Sequence, residues 1–146
     1  MISRIAAILG LMVLSALGFS GSVSAQANDE ISQAITEYAA LYSVPETLVH
    51  KIVKRESKYN PGAYHRGNWG LMQIKYATAR TMGYRGPAKG LLDADTNLKF
   101  GVKYLAGAYL VAGGNEKKAL RYYTSGYYYV AKRKGLLEET GLKAKR

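Results

Sequence analysis

The chain has 146 residues and no cysteine, so it can form neither a disulfide nor a thiolate metal site. Its two histidines, His50 and His65, are too few for a zinc centre, and no metal or cofactor is expected. Acids are also scarce: 10 Asp and Glu face 21 Lys and Arg, a formal charge of +11. The longest apolar run, Ile5 to Leu17, is too short for a comfortable membrane span.

That run has another use. Arg4 precedes it and small residues ending Val23-Ser24-Ala25 follow, the order of a secretory leader, so residues 1–25 are expected to be cleaved after Ala25. Without cysteine a lipoprotein anchor is not available, and no stable membrane span is expected after processing. Subtracting 25 from 146 leaves 121 residues, enough for one core and one domain over residues 26–140, followed by a basic, frayed tail at 141–146. The leader carries Arg4 and no acid, so processing takes the charge from +11 to +10. Such a domain seeks anionic surfaces. Lys and Arg with interleaved Tyr would suit single-stranded nucleic acid, but export argues against it. In the periplasm, or outside a secreting cell, the anionic polymers within reach are cell-wall glycan with its peptide carboxylates and the charged envelope. A role in solubility and retention alone is the plainer alternative.

The informative stretch is Ser43 to Gln73. Ser43 and Glu46 have capping-box spacing, and Pro45 suits a first turn. Leu48, Val49, Ile52 and Val53 then recur at helical steps, and the next position on that row is Glu56. A carboxyl group on a core-facing stripe loses hydration, which disfavours its charged form, so Glu56 is a candidate proton donor with a raised pKa. Alternatively it turns to water and pairs with Lys54, Arg55 or Lys58. Asn60-Pro61-Gly62 breaks the helix, and Gly67, Trp69 and Gly70 punctuate an excursion back to Leu71-Met72-Gln73-Ile74 that can wall a cleft.

Glu56-Ser57, Pro61 and Ala63, followed by Gly70-Leu71-Met72-Gln73, resemble the E-S-x-x-x-P-x-A and G-L-M-Q signatures of the soluble lytic transglycosylases, goose-type-lysozyme-like enzymes that cleave peptidoglycan. The likeness continues through Thr78-Ala79, Asn97, Gly101, Tyr104-Leu105, Ala119-Leu120, Tyr123 and Gly126, covering roughly residues 43 to 130. It implies a mainly α, lysozyme-like fold with a short irregular or β-like excursion over residues 62–75. It also implies peptidoglycan glycan strands as the partner. Dependence on an envelope-spanning secretion or assembly complex for placement is a further expectation by analogy, as is a monomer.

The remaining elements read as scaffold. Asn28 or Asp29 caps a first helix to Tyr42, burying Ile31, Ala34, Ile35, Tyr38 and Leu41. Tyr76 to Met82 forms a short helix closed by Gly83, and residues 84–94 form a loop. Asp95 caps a central helix from Thr96 to Ala112 whose apolar face includes Leu98, Val102, Leu105 and Leu110. Asn115 starts a helix from Glu116 to Tyr123, and another spans Tyr127 to Lys134. The five rings of Tyr122, Tyr123, Tyr127, Tyr128 and Tyr129 cannot all be buried in so small a protein, so some face solvent or ligand while at least two pack in the core.

Tyr123 matches the tyrosine of the family's A-Y-N-A-G block and is expected in the cleft. This chain departs from that block at Thr124 and Ser125, where the family has asparagine and alanine, and Tyr127-Tyr128-Tyr129 replaces a G-P-G turn. His65 stands in place of a common serine, in a segment about one residue shorter than usual.

Glycosidases generally pair an acid with a second carboxylate. Besides Glu56, each acid after the leader fits a helix start, an exposed face or the tail. The resemblance implies a way round this. One Glu protonates the bond between N-acetylmuramic acid and N-acetylglucosamine, then takes the proton of the muramoyl 6-hydroxyl, which closes on C1 to give a 1,6-anhydro end. Intramolecular attack requires only the acid/base, orientation and a dry cleft from the protein. Ser57 would orient Glu56 or cap the helix end; Gln73 and the backbone at Met72 would hold sugar groups, unless Met72 only fills the core. Trp69 lines the cleft or covers the core edge. A water-using muramidase, a glycan-binding module without turnover, and a polyanion-binding, membrane-disrupting basic protein remain the alternatives.

Overall fold

A computed structural model describes residues 20–143 of the protein. The chain runs α1 (Ser20–Leu41), α2 (Glu46–Ser57), β1 (Tyr64–His65), β2 (Asn68–Trp69), β3 (Ile74–Lys75), α3 (Tyr76–Thr81), a 3-10 helix (Ala88–Leu92), α4 (Ala94–Val111), α5 (Glu116–Ser125) and α6 (Tyr128–Lys134). The three strands form one antiparallel sheet in the order β1-β2-β3, with Trp69 opposite both Tyr64 and Ile74. This is the mainly α, lysozyme-like architecture with a short β excursion that the sequence implies. The expected leader falls mostly on residues 1–19, outside the described residues. No helix among the described residues is long and apolar enough to cross a membrane.

Several helix boundaries differ from expectation. α1 is already helical at Ser20 and passes straight through Asn28 and Asp29. Its core row is Ile31, Ile35 and Ala39, at steps of four, with Ala34 and Tyr38 packed alongside. Leu41 is six residues beyond Ile35, a rotation of about 240° that takes it off this face, and it is 65% exposed.

The Ser43–Glu46 capping box does not form. Ser43 is left-handed at φ 54, Pro45 is the N-cap residue without a side-chain cap, and α2 begins at Glu46. The Glu46 carboxylate instead accepts a 2.9 Å hydrogen bond from Thr36 Oγ1, tying α2 to α1.

At α4 the cap is Asp93, whose carboxylate accepts from the Thr96 backbone N–H at 2.8 Å. Asp95 is thereby released to accept from the Tyr38 hydroxyl at 2.8 Å, pinning α1 to the start of α4. Asn115 caps α5 as expected, accepting from Lys118 N–H at 2.9 Å.

α4 is the central helix, in contact with α1, α3, α5 and α6. Leu98, Val102 and Leu105 on it are fully buried, each burial contributing about 1.5–3 kcal/mol. Leu110, expected on that face, is 48% exposed near the helix end. A smaller cluster of Ile74, Ala79, Tyr84 and Leu91 joins the sheet to α3 and the 3-10 helix. Among the five clustered tyrosines, Tyr123 and Tyr127 are buried while Tyr128 and Tyr129 are exposed. Thr140, the last residue before the expected tail, is buried, and within the tail Lys143 N–H donates to the Leu137 carbonyl at 3.0 Å. Residues 144–146 lie outside the described residues.

Candidate active site

The row that carries Val49, Ile52 and Val53 is fully buried, and it surfaces at Glu56, whose side chain is 23% exposed. The helix stops one residue later because Lys58 and Tyr59 both adopt left-handed backbone, at φ 52 and 63. Neither is glycine, so the turn carries about 1–2 kcal/mol of strain per residue, a cost of the kind found at functional sites. It places Glu56 at the free end of α2, beside Arg55 with Nε 3.6 Å from Glu56 Oε1.

Glu56 lines a cleft of about 610 Å³, a volume suited to a ligand of a few rings. Arg55 comes with it from α2. His65, Asn68, Gln73, Ile74 and Lys75 come from the sheet and its loop, and Thr78 from α3. Tyr104 comes from α4, with Tyr123, Thr124, Ser125 and Gly126 from the end of α5. Arg55 and Lys75 are its cationic side chains, and Glu56 is the one carboxylate among the lining residues. Among the described residues no cluster of three or more His, Asp or Glu gathers that could hold a metal ion.

The wall opposite α2 in sequence is fixed by Asn97, a fully buried side chain on α4. Its Oδ1 accepts from Met72 N–H at 2.8 Å, and its Nδ2 donates to the carbonyls of Trp69 and Leu91 at 2.7 and 2.8 Å. Gly70 lies against this amide at φ 67, where a Cβ would overlap both Asn97 and the Leu91 carbonyl. Gly101, one turn along α4, leaves the room that the Met72 side chain fills.

Gln73, at φ 48, donates from Nε2 to the carbonyls of Ala63 and Gly70 at 3.1 and 2.9 Å. Its amide oxygen accepts no hydrogen bond among the described residues, and Gln73 lines the cleft. Tyr123 donates its hydroxyl proton to the Met72 carbonyl at 2.8 Å, with its ring 5.5 Å from that of Tyr104. Burial, and after it the neighbouring Glu56 carboxylate, push the Tyr123 phenol well above its ordinary range. Burial also raises Tyr104. Tyr127 supports this pair from beneath, donating to the Tyr104 carbonyl at 2.7 Å.

Of the five residues expected at the site, Glu56, Gln73 and Tyr123 are thus brought to one cleft. Ser57 is not among its lining residues; its hydroxyl bonds back to the Val53 carbonyl at 3.1 Å, the helix-end role weighed as its alternative. Met72 is fully buried with its N–H and carbonyl taken by Asn97 and Tyr123, so it shapes the wall from within.

A family model described as Transglycosylase SLT domain matches residues 33–143. The chain belongs to this family. No solved structure matches the chain. In this SLT domain, the departures at His65, Thr124 and Ser125 all fall on the cleft lining. The Thr124 and Ser125 hydroxyls bend back onto the Arg121 carbonyl at 3.0 and 2.8 Å, so Thr124 leaves a short polar stub where the family's asparagine would reach further. Tyr104 and Asn97 were visible as motif positions, but helical periodicity gave neither a place in the site. Asn68 and Lys75 give no signal, because two-residue strands are too short for alternation to register, whereas Ile74 ends the stretch that reads as a cleft wall.

Proposed function

We propose that this SLT domain is an exported lytic transglycosylase that cuts the β-1,4 bond between N-acetylmuramic acid and N-acetylglucosamine in peptidoglycan. Glu56 protonates the departing glycosidic oxygen and, as a carboxylate, then takes the proton of the muramoyl 6-hydroxyl. That oxygen forms the bond to C1 as the bond to the leaving sugar breaks, so the product ends in 1,6-anhydro-N-acetylmuramic acid and no water is consumed.

The observation that carries this reading is the single carboxylate of the cleft. Hydrolysis of the lysozyme type calls for a second acid as nucleophile or base, within roughly 5–9.5 Å of the first, and the lining provides none. Internal attack dispenses with it. In this account the Gln73 amide oxygen receives a sugar hydroxyl or amide N–H, and the rings of Tyr104 and Tyr123 give the sugar an apolar face. Arg55 orients the Glu56 carboxyl.

The test is lysis of purified cell-wall sacculi by residues 26–146 and by Glu56→Gln. Loss of lysis in a folded Glu56→Gln variant supports the reading. Absence of lysis by both leaves a glycan-binding module and contradicts it.

A further inference from the structure

The joint that closes α2 behind Glu56 is built from Lys58 and Tyr59, both left-handed, at φ 52 and 63. Its backbone bonds are ordinary: Lys58 N–H donates to the Lys54 carbonyl at 3.2 Å, and Asn60 N–H to the Ser57 carbonyl at 3.0 Å. Left-handed backbone is disfavoured for any residue with a Cβ, so two in a row persist only where the surroundings hold them.

The Tyr59 side chain supplies such a hold. Its ring reaches back to α2 and packs against the core, with its centroid 6.0 Å from that of His50. Its hydroxyl lies 2.9 Å from His50 Nδ1, and His50 is its one side-chain hydrogen-bond partner among the described residues. On the other side of the ring, His50 Nε2 lies 3.5 Å from Glu46 Oε1, and that oxygen also accepts from Thr36 Oγ1 at 2.9 Å. Both neighbours are served when the imidazole carries its proton on Nε2, facing the carboxylate, and Nδ1 accepts from the phenol. A run of side chains, Tyr59, His50, Glu46 and Thr36, thereby ties the joint to the start of α2 and on to α1.

Neither His50 nor Tyr59 lines the cleft. The joint, however, is where the chain passes from the helix that carries Glu56 to the sheet and loop that carry His65, Asn68 and Gln73 on the cleft lining. The direction in which the chain leaves α2 therefore sets the spacing between the acid and that wall.

We propose that His50 and Tyr59 are positioning residues, whose mutual contact holds the left-handed joint and so fixes Glu56 relative to the groups that grip the substrate. This inference rests on the proposed glycan cleavage. A misplacement of a fraction of an ångström between a reacting group and its substrate costs about tenfold in rate.

The test compares the wild type with Tyr59→Phe, His50→Ala and the double variant on soluble glycan oligomers, below the unfolding range of each protein. Tyr59→Phe keeps the ring and deletes the hydroxyl. Each single variant is expected to lower kcat about tenfold with KM within about twofold, and the double variant to lose no more than either single. Lys58→Gly removes one side-chain penalty at the joint, so adding it to Tyr59→Phe should restore most of the lost kcat. A lower Tm with kcat unchanged, multiplied losses in the double variant, or no recovery with glycine overturns the assignment.

Amide hydrogen exchange reads the joint apart from turnover. In Tyr59→Phe the Lys58 and Asn60 amides should exchange at least about fivefold faster while those of Ile52 and Val53 keep their rates. No acceleration, or the same acceleration throughout α2, overturns the hold. Should the wild type cut no oligomer, the glycan-cleavage reading fails, and the exchange rates alone decide whether the contact holds the joint.

Discussion

The Tyr123 hydroxyl donates a 2.8 Å hydrogen bond to the Met72 carbonyl, joining α5 to the glycine-rich wall fifty-one residues earlier in the chain. One contact therefore sets both the spacing of two cleft walls and the position of a phenol near Glu56. Tyr123→Phe keeps the ring and removes the donor, leaving a buried carbonyl without its partner. We expect a loss of about 1–2 kcal/mol, read as a Tm lower by about 5 °C, and a lower kcat from a loosened cleft.

Alkaline pH should unfold the protein through its tyrosines. Tyr123 and Tyr127 are raised chiefly by burial, and Tyr38 is raised to about 12 by burial and its hydrogen bond to Asp95. A phenol with a raised folded pKa keeps a proton that the unfolded chain releases near pH 10. Its stabilisation is complete below about pH 10 and is lost as pH rises through the folded value. Denaturant midpoints should hold steady from pH 8 to about 10 and fall beyond it. The fall should be shallower in Tyr127→Phe, whose effect is compared with its own neutral value. A flat profile to pH 12 would contradict this.

Asn97 is the hub of the catalytic wall, and its removal should be among the most damaging single changes. Asn97→Ala strands the Met72 N–H and the Trp69 and Leu91 carbonyls in the interior. At about 1–3 kcal/mol for each orphaned group, a total loss of at least 3 kcal/mol is expected in chemical denaturation. Gly70→Ala should act at the same place by a different cause, since its Cβ has no room and its backbone is left-handed.

Much of this was legible beforehand, and the failures have local causes. The Val49, Ile52, Val53 and Glu56 row was readable because an apolar stripe at helical period survives any shift of the helix start. The start itself was misjudged: Glu46 had the spacing of a capping box, but Thr36 on another helix offered it a better donor. Asp93 and Asp95 are both cap-type residues two apart, and only the Tyr38 contact decides between them. Met72 belonged to a motif, yet a motif does not say whether a residue faces the cleft or the core. Asn97 could be recognised as a motif residue, whereas its three partners come from residues 69, 72 and 91 and exist only after folding.

Gln73→Ala should separate binding from stability. The Ala63 and Gly70 carbonyls that it releases keep backbone donors, from Gly70 N–H at 2.7 Å and Gln73 N–H at 3.1 Å. Stability should therefore fall by only about 0.5–1.5 kcal/mol. KM for glycan should rise about three- to tenfold through loss of the amide oxygen in the cleft. An unchanged KM would remove Gln73 from the substrate contacts.

Mass spectrometry of the ends released from sacculi, by the wild type and by Glu56→Gln, bears most directly on the single-carboxylate chemistry. The expected result is 1,6-anhydro-N-acetylmuramic acid termini from the wild type, and at least about a hundredfold slower release from the variant. Reducing N-acetylmuramic acid termini carrying solvent oxygen, or equal release by the two proteins, would contradict it.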